Sequence, residues 1–155
     1  RSGYDKGHMA PAAYMKWSNT AMKESFYFSN MCPQHPELNR RKWKDLEEKI
    51  RYWAITDSAI IIICGPIIEK TPQKIGKNKV TVPQKFFKVI LSPFTTSPKA
   101  IGFLFKNGRS VSPLATYAVS VDSIETLTGM DFFAPLPDDL ENKIESQVNC
   151  DQWGL

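Results

Sequence analysis

Two histidines occur among the 155 residues, His8 and His35, and only the first keeps company that suggests chemistry. His8 lies in Tyr4-Asp5-Lys6-Gly7-His8-Met9-Ala10-Pro11, between a glycine and a proline that permit sharp turns. Imidazole titrates near neutrality, so a histidine delivered to a cleft by such a turn can serve as a general base; it packs equally well as a structural side chain. Farther along, Asn39, Trp43, Glu47 and Arg51 recur every four residues. On a helix that spacing drifts by about 40° per step and brings an amide, a carboxylate and a guanidinium to one edge. A solvent-facing Glu47–Arg51 pair, worth about 0.3–0.5 kcal/mol, fits the same spacing. Taken together, an imidazole base, an amide oxygen for a hard cation and a cationic group for a phosphorane are what metal-assisted phosphodiester cleavage uses. One neutral amide with few carboxylates suits Mg²⁺, which keeps several of its own waters.

The elements that must position these groups follow from the pattern of apolar residues. Residues 1–12 read as a short strand running into a turn. From Leu38 the spacing of Trp43, Leu46, Ile50 and Trp53 predicts an amphipathic helix, with Asn39 placed as its N-cap. Residues 58–64 are apolar and β-branched, which predicts a strand covered on both faces and stopped by Gly65-Pro66. Further strands are expected at 80–82, 86–91, 100–105 and 115–121. A short capped helix over 122–128 closed by Gly129, and an acidic helix over 138–148, follow. Strands succeeded by terminal helices argue for an α+β class, and without repeats or a low-complexity linker residues 1–155 read as one domain.

Composition narrows the partners. With 42% apolar and 23% charged residues the chain is globular in type, and its longest unbroken apolar run, 59–64, is far short of the roughly 20 residues a membrane helix needs. The first twenty residues also lack the apolar core of a signal peptide. The net charge of +4 is unevenly spread: +4 over residues 1–53, +7 over 54–121 and −7 over 122–155. A positive field over three quarters of the chain favours an anionic partner, although runs such as Arg40-Arg41-Lys42 also read as solvated surface. Cys32, Cys64 and Cys150 imply no disulfide framework. Cys32 and His35 lack the second ligand pair of a zinc site, so the 32–36 stretch reads as a plain loop. Gly76–Lys79 and Lys106–Arg109 are not P-loops and read as hairpin turns with basic tips. The aromatic stretch Tyr4, Tyr14, Trp17, Phe26, Tyr27 and Phe28 reads as core packing more readily than as base stacking.

The ordered set Gly3–Ala12 (GYDKGHMAPA), Phe28–Gln34 (FSNMCPQ) and Leu38–Glu47 (LNRRKWKDLE) with Arg51 resembles the DNA/RNA non-specific endonucleases, the ββα-metal (His-Me finger) nucleases with an Asp-Arg-Gly-His signature. The resemblance implies that fold, a central antiparallel or mixed sheet with flanking helices. It implies a metal-dependent endonuclease hydrolysing DNA and RNA, with His8 as general base and Mg²⁺, or Mn²⁺ in its place, held by Asn39. Glu47 matches the carboxylate that holds the metal through water. Arg51 matches a phosphate-contacting arginine, and Asn30 a second asparagine at the substrate. Asp5 is expected to brace the loop. Lys6 stands where the family usually has arginine and should contact phosphate more loosely.

By the same resemblance the family's first strands are absent ahead of His8, so the chain reads as amino-terminally incomplete. The alternative is a catalytically impaired relative that binds nucleic acid or an inhibitor. A toxin nuclease held by an immunity protein fits the same residues. A protein inhibitor and a homodimer are further partners the resemblance admits, and a secreted or periplasmic location is the address it implies.

Overall fold

The computed structural model describes residues 2–155. Two compact units divide the chain, each assembled from separated stretches: Arg1–Glu48, Cys64–Phe86 and Phe105–Val111 in the first, and Lys49–Ile63, Phe87–Leu104 and Ser112–Leu155 in the second.

In the first unit, β1 (Asp5–His8) pairs antiparallel with β2 (Met31–Gln34), and the long helix follows. Strand, strand, helix is the expected ββα order. Between the two strands lie a 3₁₀ turn at Ala12–Met15 and α1 (Asn19–Glu24), capped by Ser18, whose side chain accepts from the Ala21 amide. Neither α1 nor β2 is evident in the sequence. Pro33 sits within β2, where a proline argues against a strand, but in a two-stranded ribbon it takes an outer position that costs no ladder bond. Around the helix start, Leu38, Trp43, Leu46, Phe86 and Phe105 are buried. The Trp43 indole meets the Phe86 and Phe105 rings edge-on at centroid distances of 5.6 and 6.1 Å.

The expected helix is present, with its apolar stripe buried as the spacing requires: Trp43, Leu46, Ile50 and Trp53 are all at most 2% exposed. Its beginning differs from expectation. Residues Leu38–Trp43 wind as a π turn before α2 (Lys44–Thr56), the cap position belongs to Glu37, and the Asn39 amide already donates to the His35 carbonyl at 2.9 Å. Asn39 is therefore inside the first turn, and its side chain is released from capping. A wide turn of this kind at a helix start is often found where side chains are re-aimed for function.

A small hairpin of β4 (Lys74–Ile75) and β5 (Val80–Thr81) turns through Gly76 and Lys79, both at positive φ, as the sequence predicts. Lys106–Arg109 is not a hairpin tip. Asn107 instead ties loops together: its Nδ2 donates to the Pro33 and Pro83 carbonyls, and its Oδ1 accepts from the His35 amide at 2.7 Å. That contact, with His35 Nδ1 accepting from the Glu37 amide, bears out the loop reading for His35, whereas Cys32 belongs to β2.

The main sheet has the order β3-β6-β7-β8, with β3 at Ile61–Ile67, β6 at Lys85–Ser92, β7 at Lys99–Lys106 and β8 at Ala118–Val119. The expectation for residues 58–64 needs correction. The strand β3 runs straight through Gly65-Pro66 and leaves Ile61 46% exposed, because it is an outer strand where proline is tolerated and one flank is uncovered. Full burial belongs to β6, in which every residue from Phe86 to Ser92 is buried. The strand expected at 115–121 shrinks to β8, since Pro113 starts a 3₁₀ turn over Leu114–Tyr117.

In the second unit, α3 (Val121–Thr128) is capped by Ser120 and closed by Gly129 at φ 70°, a left-handed position that other residues adopt at a cost. α4 (Asp138–Glu145) ends three residues before the expected limit. The core centres on Trp53, stacked near Phe103 and edge-on to Trp153 at 4.8 Å. The Trp53 indole donates to the Trp153 carbonyl at 2.9 Å, and Lys99 Nζ lies 4.5 Å from the centre of the Trp153 ring. Burial alone would raise the Asp57 carboxyl, but hydrogen bonds from Ser92, Lys99 and Thr56 outweigh it and hold the group below its ordinary value. Among the described residues no helix is long and apolar enough to cross a membrane.

Trp153 is 2% exposed and its ring meets both the Trp53 ring and the Lys99 ammonium, so Trp153→Ala should cost about 3–5 kcal/mol in urea unfolding. A loss below about 1 kcal/mol would show that the second unit's core does not depend on it.

Candidate active site

The site is built on β1. Its register pairs Asp5 with Gln34, Lys6 with Pro33, Gly7 with Cys32 and His8 with Met31. Gly7 has to be a glycine for a packing reason: the fully buried Gln34 side chain lies where any Cβ at position 7 would be. The strand can carry His8 at its end because it passes flat beneath that side chain.

Two contacts pin the helix start to β1. At one end of the strand, Asp5 Oδ2 accepts from Asn39 Nδ2 at 3.0 Å and from Arg40 Nε at 2.8 Å, while its Oδ1 accepts from Arg40 NH2 at 2.7 Å. At the other end, Trp43 Nε1 donates to the His8 carbonyl at 3.2 Å. The hydrogen bonds from Arg40, stronger than the opposing effect of burial and joined by that from Asn39, hold the Asp5 carboxyl below its ordinary value. An ionised Asp5 accepts only, so it fixes which way the Asn39 amide faces. The NH₂ group turns to Asp5, and the oxygen is left as the atom Asn39 can offer.

The His8 ring sits edge-on to Phe26 at 4.8 Å, and its Nε2 is buried without a hydrogen-bond partner among the described residues. Burial lowers its pKa from the ordinary 6.5, so the neutral imidazole is the form present at pH 7. The loop that follows is clamped by Asn30: Oδ1 accepts from the Ala10 amide at 2.9 Å, and Nδ2 donates to the Ala10 and Ser25 carbonyls at 2.8 Å each. With both ends of its amide used on backbone, Asn30 positions the turn after His8. Cys64 Sγ adds a contact to the Met9 carbonyl at 3.2 Å.

Lys6 is exposed, with Nζ 5.2 Å from the centre of the Phe28 ring. Beside it a shallow pocket of about 240 Å³ is lined by Tyr4, Asp5, Lys6, Phe28, Cys32 and Ile75, among others. Glu47 is partly buried one turn beyond Trp43, and its carbonyl accepts from the Tyr14 hydroxyl at 3.1 Å. Arg51 follows one turn later on the same helix and belongs to the second unit.

Three features escape the sequence reading. Arg40, read there as solvated surface, makes the two-pronged contact to Asp5; nothing in a run of basic residues singles it out. Trp43, read as a core residue, is that and also the strap on the His8 backbone. The aromatic stretch is largely not core: Trp17, Phe26, Tyr27 and Phe28 are 79, 55, 61 and 78% exposed. Their chain is a turn-rich surface segment with no helical or strand period to bury one face.

Comparison with known proteins identifies the family. A family model described as DNA/RNA non-specific endonuclease matches residues 1–139. Nuclease 1, mitochondrial, of Schizosaccharomyces pombe is 33% identical over 167 aligned positions, covering 96% of this chain and 52% of that protein. Endonuclease G, mitochondrial, of Bos taurus is 36% identical over 144, covering 84% and 48%. The chain thus spans about half the length of these relatives. Among solved structures, one described as the EndoG/EndoGI complex, on the mechanism of EndoG inhibition, superposes with a TM-score of 0.81 at 32% identity, over 88% of this chain and 62% of the other. The secreted or periplasmic location expected above is overturned, because the relatives of Schizosaccharomyces pombe and Bos taurus, and another of Saccharomyces cerevisiae, are named mitochondrial. Matched over most of its length by the family and in fold by a member's structure, this chain belongs to the DNA/RNA non-specific endonuclease family.

Proposed function

We propose that this chain carries the catalytic residues of a metal-dependent endonuclease that hydrolyses phosphodiester bonds of DNA and RNA without strong sequence preference. The observation that carries the reading is the buried, unpartnered Nε2 of His8, a neutral base at the end of a strand tied at two points to the helix bearing Asn39 and Glu47. An orphaned buried nitrogen costs stability, and such a cost is kept where the atom has work to do.

His8 takes the proton from the attacking water. Its low pKa keeps it unprotonated, and the Phe26 edge and the Trp43 strap fix its direction. The Asn39 oxygen, freed by the Asp5 bond, is a hard donor that fits a divalent cation keeping several of its own waters, one of which the Glu47 carboxylate, two turns along the helix, is proposed to hold. Bound there, Mg²⁺ or Mn²⁺ would supply positive charge to the scissile phosphate and the departing 3′ oxygen. Lys6 and Arg51 are proposed to add positive charge at the phosphate, Arg51 on the strength of helical spacing alone. Lys6 also leads the substrate past the exposed Phe28 and the adjoining pocket, which suit the flat face of a base. Contacts of this kind go to backbone phosphate and to stacking, which carry little sequence information.

A mitochondrial address is supported by the relatives' names, and control by an inhibitor protein by the likeness to an EndoG chain solved in complex with EndoGI.

Plasmid relaxation in Mg²⁺, abolished by EDTA, tests the reading. His8→Ala should cut the rate by about 10²–10⁴-fold while leaving DNA retardation in a gel unchanged. Full cutting by that variant would remove His8 from its role, and retarded but uncut DNA with the unaltered chain would make it a binding protein. The pH profile carries a sign. Because burial lowers the His8 pKa and only the neutral ring accepts a proton, kcat/KM should fall on acidification with an inflection below pH 6.5. An inflection above about 7 would contradict a desolvated base.

A further inference from the structure

The second unit gathers its own unbalanced charge. Asp122 and Glu125, three residues apart on α3, share one face of that helix, and Glu145 ends α4. One carboxylate oxygen from each of the three lies within 4.8 Å of the others. Asp122 is exposed, Glu125 is half-buried and Glu145 is 4% exposed. Glu145 Oε1 is wholly buried and has no hydrogen-bond partner among the described residues. A buried carboxylate with no donor is among the costliest arrangements a fold can hold, and it calls for something to neutralise it.

Among the described residues no cationic neighbour does so. The charges that act most on Glu145 are other carboxylates, Glu125, Glu141, Asp122 and Asp131, and burial together with this repulsion lifts its pKa to about 7. Glu141, one turn earlier on α4, also has a buried oxygen without a partner. Glu125 Oε1 accepts from the Phe132 amide at 2.8 Å, which fixes that carboxylate and leaves its second oxygen available. A proton on Glu145 would relieve one charge and leave the rest facing each other.

We propose that Asp122, Glu125 and Glu145 form a cation site, distinct from the catalytic one, that takes a hard divalent ion of calcium type and fastens α4 to α3. Oxygen ligands alone favour calcium or magnesium over softer metals. Tolerance of irregular ligand sets favours calcium: it takes oxygens at about 2.3–2.6 Å in flexible geometry, whereas magnesium, at about 2.0–2.1 Å, demands a near-ideal octahedron. Three carboxylates, one of them on an exposed rim, leave positions for water to complete a coordination of about 6–8.

The site is independent of the nuclease reading, and its test can be made so. The probe is Ca²⁺ alone, titrated calorimetrically into EDTA-stripped protein carrying Asn39→Ala, so that the catalytic site does not contribute. One ion should bind per chain. Glu145→Gln should abolish binding, and Asp122→Asn should weaken it at least about tenfold. In thermal melts, a 100-fold excess of Ca²⁺ over Kd should raise the Tm of the parent by roughly 5–10 °C and leave that of Glu145→Gln unmoved. No binding at millimolar Ca²⁺ overturns the proposal, as does binding that Asn39→Ala removes. A Glu145→Gln protein as stable as the parent, with a parent that ignores Ca²⁺, would mean that Glu145 is simply protonated. Should Glu145→Gln fail to fold, Asp122→Asn on the exposed rim decides, and unchanged affinity there overturns the proposal.

Discussion

The carboxylate of Asp5 is the contact on which the first unit's chemistry turns. It accepts one bond from Asn39 and two from Arg40, and a group that only accepts dictates the orientation of the amide it meets. Without it, Asn39 would be free to present nitrogen or oxygen. With it, the oxygen is turned away from Asp5, and the helix start is held against the same four residues that end in His8. The Trp43 indole completes the attachment at the opposite end of β1. Strand and helix therefore move as one body over the distance that matters, and the π turn at Leu38–Trp43 is the local adjustment that lets Asn39 and Trp43 both reach the strand.

Much of this arrangement is written in the sequence because it depends on short range. The Gly7-His8 pair, the buried stripe Trp43, Leu46, Ile50 and Trp53, and the closure of α3 by Gly129 are each legible from neighbours within a few turns. What is not legible depends on partners far along the chain. β2 hides behind Pro33 because only its pairing with β1 makes a proline harmless there. Asn39 looks like an N-cap, and is not one, because the choice between capping and meeting Asp5 is made across 34 residues. Arg40 is one of several adjacent basic residues until Asp5 selects it. The covered strand expected at 58–64 is an outer one, since strand order cannot be read from a run of apolar residues.

The same limit explains the aromatic segment. Trp17, Phe26, Tyr27 and Phe28 look like core by composition, yet most of their surface is exposed, and Phe26 touches the one imidazole that matters. Large exposed rings, one of them under the Lys6 ammonium, are costly for a surface with no partner and well suited to a polyanion with flat bases. Charge is divided along the chain in keeping with that use. The positive excess lies in residues 1–121, which include the whole candidate site, and three of the eight carboxylates of residues 122–155 meet in a cluster on α3 and α4 with its own unmet electrostatic demand.

The most direct measurement is a crystal of the chain grown with Mn²⁺ and examined by anomalous scattering. An ion bonded to Asn39 Oδ1, with Asp5 still holding Asn39 Nδ2 and Arg40, is the predicted result. An ion bonded to the Asp5 carboxylate, with Arg40 displaced and the amide turned, would contradict it, because the latch would then be the ligand and the orientation of Asn39 would have some other cause.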